Sequence, residues 1–263
     1  MLHFGSPDKV FSASVEEISS LPRVSREKAE TILAAEERLP EVDRMMEDLE
    51  TNNIQIATLL DENYPELLKQ IDDPPPLLYF KGEFPNTEST NTVAIVGTTK
   101  ATQPGIARAV ALGKGIVSRG GIVVSGLATG IDAAGHLGAL ANNGKTYAVL
   151  GSGFNNIYPP DHLSLAQNIS QHGALISEYP PKVPVNVGQL MARNRIVVGL
   201  SQAVILVEES PDSEGSADAA NRALNLGRPL YVFSDSPLAT PWRNKGALLF
   251  SGEDDLDLIL RYL

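Results

Sequence analysis

A chain of 263 residues with 43% apolar and 20% charged side chains has the make-up of a globular protein with a real core, one large domain or one large and one small, which excludes disordered and collagen-like classes. It has no cysteine, so disulfides, thiolate zinc, iron–sulfur clusters and a cysteine nucleophile are excluded. The net charge of −11 is unevenly spread: residues 1–90 carry 8 Lys and Arg against 19 Asp and Glu, whereas residues 91–263 carry 13 of each, so the larger part can still gather basic groups on one face. No stretch approaches 18 apolar residues, and the first ten residues lack the apolar centre of a secretory signal. A cytoplasmic protein without a membrane span is expected.

Residues 12–50 read as helical. Ser14 and Glu17 have the spacing of a capping box, Pro22 and Ser25 mark a turn, and Ala29, Ile32 and Leu33 recur at helical spacing. Leu21 to Ser25 followed by Ala29 and Ile32 has the outline of a helix-hairpin-helix, but Arg23 and Ser25 stand where that motif needs glycine. The segment reads as a small helical packing module, and the expected domains are residues 1–50 and 51–263. Short strands are expected at 54–57 and, after Asp73-Pro74-Pro75-Pro76, at 77–80, with a linker at 85–91. From residue 92 a rhythm sets in, with apolar, β-rich runs at 93–96, 121–125, 146–150, 174–177, 203–207 and 229–233 separated by helical patterns. Strands almost continuous in apolar residues and alternating with helices define an α/β fold, a doubly wound parallel sheet covered on both faces.

In such a sheet ligands bind beyond the C-terminal strand ends, where loops bring backbone N–H groups to helix N-termini. Glycines cluster there: Gly97 before Thr98, Thr99 and Lys100; Ser125, Gly126 and Gly130 before Asp132; Gly151 and Gly153; and Gly215 with Ser216 after Glu214. Four such turns on one edge indicate an anionic ligand, a nucleotide or a nucleic-acid backbone. A P-loop and a G-x-G-x-x-G fingerprint are both missing, as are a G-x-S-x-G elbow and a histidine–carboxylate cluster with metal spacing. His136 and Asp132 stand at i, i+4 and read as a local hydrogen-bonded pair, not a catalytic dyad. The basic residues on these loops are Lys100, Arg193 and Arg195, and guanidinium forks suit phosphate. Arg193 and Arg195 read equally well as buried braces against Glu178 or Glu208. Arg108 and Arg119 read as solvated helix decoration.

The ordered string Asp61-Glu-Asn-Tyr64-Pro65, Asp73-Pro-Pro-Pro-Leu-Leu-Tyr79, Ala94-Ile-Val-Gly97, Val124-Ser-Gly-Leu-Ala-Thr-Gly-Ile-Asp132-Ala-Ala-Gly-His136, Tyr147-Ala-Val-Leu-Gly151, Ile157-Tyr158-Pro159, Gly173-Ala-Leu-Ile-Ser-Glu178 and Arg193-Asn194-Arg195-Ile196 resembles the DprA/Smf family of DNA-processing proteins over residues 61–233. The helical module is similar to that family's sterile-alpha-motif-like domain. The resemblance implies an extended Rossmann-like domain that binds single-stranded DNA, forms a homodimer and helps load a RecA-type recombinase during natural transformation, without catalysis, cofactor or metal. It implies a DNA or phosphate site at Gly97, Thr98, Lys100, Ser125, Gly126, Gly130, Asp132, Arg193, Asn194, Arg195, Gly215 and Ser216.

Departures from the family pattern share a direction. Thr99 and Thr129 stand where relatives usually carry arginine, Leu190-Met191 replaces a Phe-Pro pair, Glu214 enters a Ser-Gly-Ser turn, and Ser234-Asp235 replaces Pro-Gly. The chain ends at Leu263, so the winged-helix domain of many relatives is expected to be missing. Two competing readings stand beside DNA binding. One is a Rossmann-like nucleotide binder or phosphoribohydrolase-like enzyme using Glu214 and Asp218; the other is a pure partner-binding protein that docks through the acidic module at 12–50. Candidate oligomer surfaces are the apolar recurrences at 217–226 and 256–263.

Overall fold

The structure, a computed structural model, describes residues 3–83, 91–210, 214–261 and 263. Contacts divide the chain into two units, Met1–Asn53 and Ile54–Leu263. The candidate linker at 85–91 lies outside the described residues except for Asn91.

The first unit holds helices α1 (Pro7–Phe11), α2 (Val15–Ser19), α3 (Arg26–Ala34) and α4 (Leu39–Thr51). Helix α2 starts where the capping box was expected: the Ser14 hydroxyl accepts from Glu17 N, and the Glu17 carboxylate accepts from Ser14 N at 2.8 Å. Ser25 caps α3 in the same manner through Lys28 N. Ile18 and Ala29 are buried, a small apolar centre for a short helical module.

In the second unit the strands are β1 (Gln55–Thr58), β2 (Leu77–Gly82), β3 (Thr92–Val96), β4 (Ile122–Ser125), β5 (Thr146–Val149), β6 (Ala174–Ser177), β7 (Ala203–Leu206), β8 (Leu230–Phe233) and β9 (Leu248–Phe250). The helices are α5 (Glu66–Lys69), α6 (Gln103–Ser118), α7 (Ile131–Ala141), α8 (Leu163–His172), α9 (Val187–Ala192), α10 (Asn194–Gly199), α11 (Glu214–Asn225), α12 (Ala239–Arg243) and α13 (Leu256–Arg261). The nine strands form one sheet in the order β1-β2-β6-β5-β4-β3-β7-β8-β9. From β6 to β9 every pairing is parallel, and β1 and β2 add an antiparallel edge. The six strands foreseen after residue 92 are all present; β9 was not foreseen.

Alternate residues of each central strand serve opposite faces, as the period of two requires. Val93 and Ile95 pack with Leu112 and Ile116 of α6, Ile131 of α7 and Leu256 of α13. Ala94 and Val96 pack with Leu68 of α5, Val197 of α10 and Ala220 of α11. A third cluster places Ala148 and Leu150 against Ile169 of α8. Helices α6 and α7 cross closely through glycine, since a Cβ at Gly138 would overlap the Val110 carbonyl and one at Gly113 the Gly135 carbonyl. Arg119 is exposed, as expected of it, and pairs on the surface with Asp257 of α13 at 2.8 Å; Arg108 joins Asp235 at 2.6 Å and lies over the Phe233 ring. The apolar recurrences read as oligomer surfaces mostly enter the core instead: Ala219, Ala220, Ala223, Leu256, Ile259 and Leu260 are all buried. Among the described residues no helix is long and apolar enough to cross a membrane.

The strand order sets the site. From β3 the chain moves one way through β4, β5 and β6, then returns to lay β7, β8 and β9 on the other side. The crevice between the carboxyl ends of β3 and β7 is the switch point where a doubly wound sheet opens to a ligand.

Candidate functional site

A cavity of about 480 Å³ lies at that switch point, walled by Val96 and Gly97 at the end of β3, Gly126 to Thr129 after β4, Leu150 to Ser152 after β5, α9, α10 and the first turn of α11. Of the twelve residues assigned from sequence, Gly97, Gly126, Asp132, Arg193, Asn194, Gly215 and Ser216 line it, and Thr98, Lys100, Ser125, Gly130 and Arg195 do not.

Arg193 ends α9 and sends its guanidinium under the β4–α7 turn. It is only 6% exposed, and Nη1 is 3.6 Å from Oδ2 of Asp132, itself 7% exposed. A guanidinium stays charged in a protein, so Asp132 serves as its counter-ion. Burial pushes the Asp132 carboxyl above its ordinary value; Arg193 and the Ala128 N–H at 3.4 Å pull the other way. Arg193 Nε has no hydrogen-bond partner among the described residues. Gly126 makes the arrangement possible, because a Cβ there would fall on the guanidinium.

The other candidates have inward duties. Gly130 opens α7 with φ of +79°, and a Cβ there would overlap the Thr98 carbonyl oxygen. The Ser125 hydroxyl donates to the Ile95 carbonyl at 2.6 Å. Thr98 is buried, with Oγ1 3.0 Å from Ser210 Oγ and accepting from Lys100 N. Asn194 donates to the Gly215 carbonyl and to Asp218, tying α10 to α11, while Asp218 also holds Arg222. Arg195 is a brace. Its two terminal nitrogens donate to Glu178 at 2.7 and 2.6 Å and its Nε to the Asp73 carbonyl at 3.0 Å, which leaves no free fork for phosphate. Among the described residues Glu208 braces no arginine; its carboxylate accepts from Thr102 N and Oγ1 at the start of α6 and so occupies that helix N-terminus. The third glycine turn, Gly151 to Gly153, opens no helix.

His136 and Asp132 are not hydrogen-bonded to each other. The His136 Nε2–H donates to the Gly126 carbonyl, and Nδ1 meets the Thr146 hydroxyl, each at 2.6 Å. Burial pushes the imidazole down from 6.5 to about 4, with the Arg193 charge acting in the same direction and the Gly126 carbonyl against it. The unfolded chain therefore takes up this proton near pH 6.5 and the folded one only near pH 4. The stability this site contributes is complete above about 6.5 and is lost as pH falls toward 4, by about 3 kcal/mol over the whole window. Thermal melts of the native chain and His136→Gln between pH 7 and 4 check this: the native curve is expected to fall more steeply.

Sequence reasoning missed the apolar wall. Val187, Leu190 and Met191 of α9, with Tyr158, Pro159 and Leu150, make the cavity predominantly apolar. Tyr158-Pro159 and Leu190-Met191 were visible as motif positions, but nothing in their spacing placed them on one cavity. Among the described lining residues Arg193 is the one cation, while Asp132 and Glu214 are acidic. Thr99 and Thr129 sit exposed at the mouth. An apolar cavity whose one cation is already matched favours a flat, uncharged ring with a polar edge over a phosphate.

Fold and site together define a Rossmann-like α/β protein with a cavity at its switch point. Residues 55–251 match the family model described as DNA recombination-mediator protein A. The chain belongs to this family, the DprA/Smf proteins. It is 40% identical over 197 residues to protein Smf of Synechocystis, covering 74% of this chain and 49% of that protein, so it spans about half the relative's length. Its structure is similar to that of DNA processing protein A from Streptococcus pneumoniae, with TM-score 0.79, 29% identity, and coverage of 93% of this chain and 86% of the other. It is also similar to the Helicobacter pylori protein, whose structure concerns a single-stranded DNA binding mode, with TM-score 0.71, 28% identity, and coverage of 79% and 97%.

Proposed function

We propose that this chain binds single-stranded DNA by taking one unstacked base into the cavity above Arg193, while the sugar-phosphate backbone runs over the rim at Thr99, Lys100, Thr129, Gly215 and Ser216. The observation that carries the reading is a predominantly apolar cavity of about 480 Å³ whose one cation among the described lining residues, Arg193, is buried and already matched by Asp132. Every nucleobase offers a flat face to the apolar wall, so recognition is tolerant of sequence. A base inside a duplex cannot enter without unpairing, so single strands are preferred. With the rim arginines replaced by Thr99 and Thr129, phosphate contacts are few and the salt dependence is shallower than arginine-rich rims would give.

The role that follows is binding without catalysis: a cytoplasmic homodimer that covers incoming DNA and passes it to a RecA-type recombinase. The family's description as a recombination mediator supports this role, and so does the use of Asp132 as a counter-ion and of Asp218 as a helix tie, which keeps both from acid–base work. Fluorescence anisotropy of a labelled oligo-dT with the full chain tests it. Low-micromolar or tighter binding that weakens with salt, and about tenfold weaker binding of a duplex of equal length, is expected. No binding at low salt by folded protein, or equal binding of the duplex, would overturn the reading.

A further inference from the structure

The acidic first unit is left without a task by DNA binding, since its 12 Asp and Glu against 6 Lys and Arg within residues 1–53 repel phosphate. Helix α4 carries the informative pattern. Leu39, Val42 and Met46 follow i, i+3, i+7 and are 43%, 40% and 42% exposed, a continuous apolar row about 10 Å long. Beside it Asp43, Glu47 and Glu50 follow i, i+4, i+7, and their carboxylates have no partner among the described residues. The helix's one cation, Arg44, lies on the far side, where its Nε donates to the Pro40 carbonyl at 3.2 Å. Leu49, further along the apolar row, is buried, so the row runs from a covered end to an uncovered one.

We propose that the Leu39, Val42 and Met46 row with its acidic border is a docking surface for a basic amphipathic segment of a partner protein, one that presents apolar anchors at helical spacing and a row of Lys or Arg along one side. Charge selects this occupant. A nucleic acid or an anionic lipid surface would face the row of carboxylates. A second copy of the chain would set the same acidic row against its own. A basic partner segment covers the apolar side chains and neutralises the border together. Three anchors over two turns make a small interface, suited to transient, salt-sensitive binding.

The test uses the full chain and a fluorescein-labelled synthetic helix of about 14 residues with Leu at i, i+3, i+7 and Lys along one flank, against a scramble of equal composition. The ordered peptide is expected to bind at least about tenfold more tightly than the scramble. Val42→Glu/Met46→Glu and, separately, Asp43→Lys/Glu47→Lys/Glu50→Lys are each expected to weaken it about tenfold, with circular dichroism unchanged because all five side chains are exposed. Equal binding of the two peptides, or indifference to both variants, would overturn the proposal. So would sedimentation in which the native chain self-associates and Val42→Glu/Met46→Glu does not, because the occupant would then be a second copy.

Discussion

Asp132→Ala is expected to lower the unfolding free energy by about 4 kcal/mol, among the largest effects of any single substitution in the chain. The reason is asymmetric. Arg193 is 6% exposed and cannot discharge, so removing Asp132 strands a guanidinium beneath the β4–α7 turn, with Gly126 against its face. The mirror change, Arg193→Ala, leaves a carboxyl that neutralises itself by taking up a proton and therefore costs less. Burial already pushes Asp132 in that direction. Urea denaturation of the two variants at pH 7 checks the order: Asp132→Ala is expected to have the lower midpoint. Equal midpoints would mean the pair is not the charge couple described above.

Gly126→Ala is expected to weaken oligo-dT binding about a hundredfold, or ~3 kcal/mol, at a smaller cost in stability. The added methyl takes the place of the Arg193 terminal nitrogens, and the only freedom is for the guanidinium to swing away. That swing fills the cavity with the side chain meant to floor it. A thermal melt beside the binding isotherm separates the two effects. A variant that binds as tightly as the native chain would show that the cavity is not where DNA is held.

The sheet was legible because its strands are unbroken apolar runs bounded by glycine, buried on both faces, and separated by helical spacing. β9 was not, since it is three residues long and leaves Leu248 and Leu249 exposed, so no burial pattern marks it. The glycine turns pointed to the edge of the sheet where the cavity lies, but the character of its lining was only half legible. Arg193 and Arg195 are two residues apart, which on a helical path puts them on opposite sides. One reaches the cavity and the other reaches Glu178, and nothing in Arg-Asn-Arg says which. The i, i+4 spacing of Asp132 and His136 suggested a hydrogen-bonded pair, but it only sets them on one face of α7. Their partners lie outside α7: Arg193 for the one, from a segment distant in sequence, and for the other Gly126 and Thr146, on the segments that flank the helix. The apolar wall escaped because Val187, Leu190 and Met191 are ordinary residues of a short helix until the fold brings them to Leu150 and Tyr158.

The claim at the centre of this account is that the strand-end cavity seats a base. Photo-crosslinking of oligo-dT carrying one 5-iodo-deoxyuridine, followed by peptide mapping by mass spectrometry, tests it most directly. Adducts on the peptides holding Tyr158 and Met191, and their loss in Gly126→Ala, are the predicted result. Adducts confined to residues 1–53 or to the β9 edge, with the cavity rim unmodified, would contradict it.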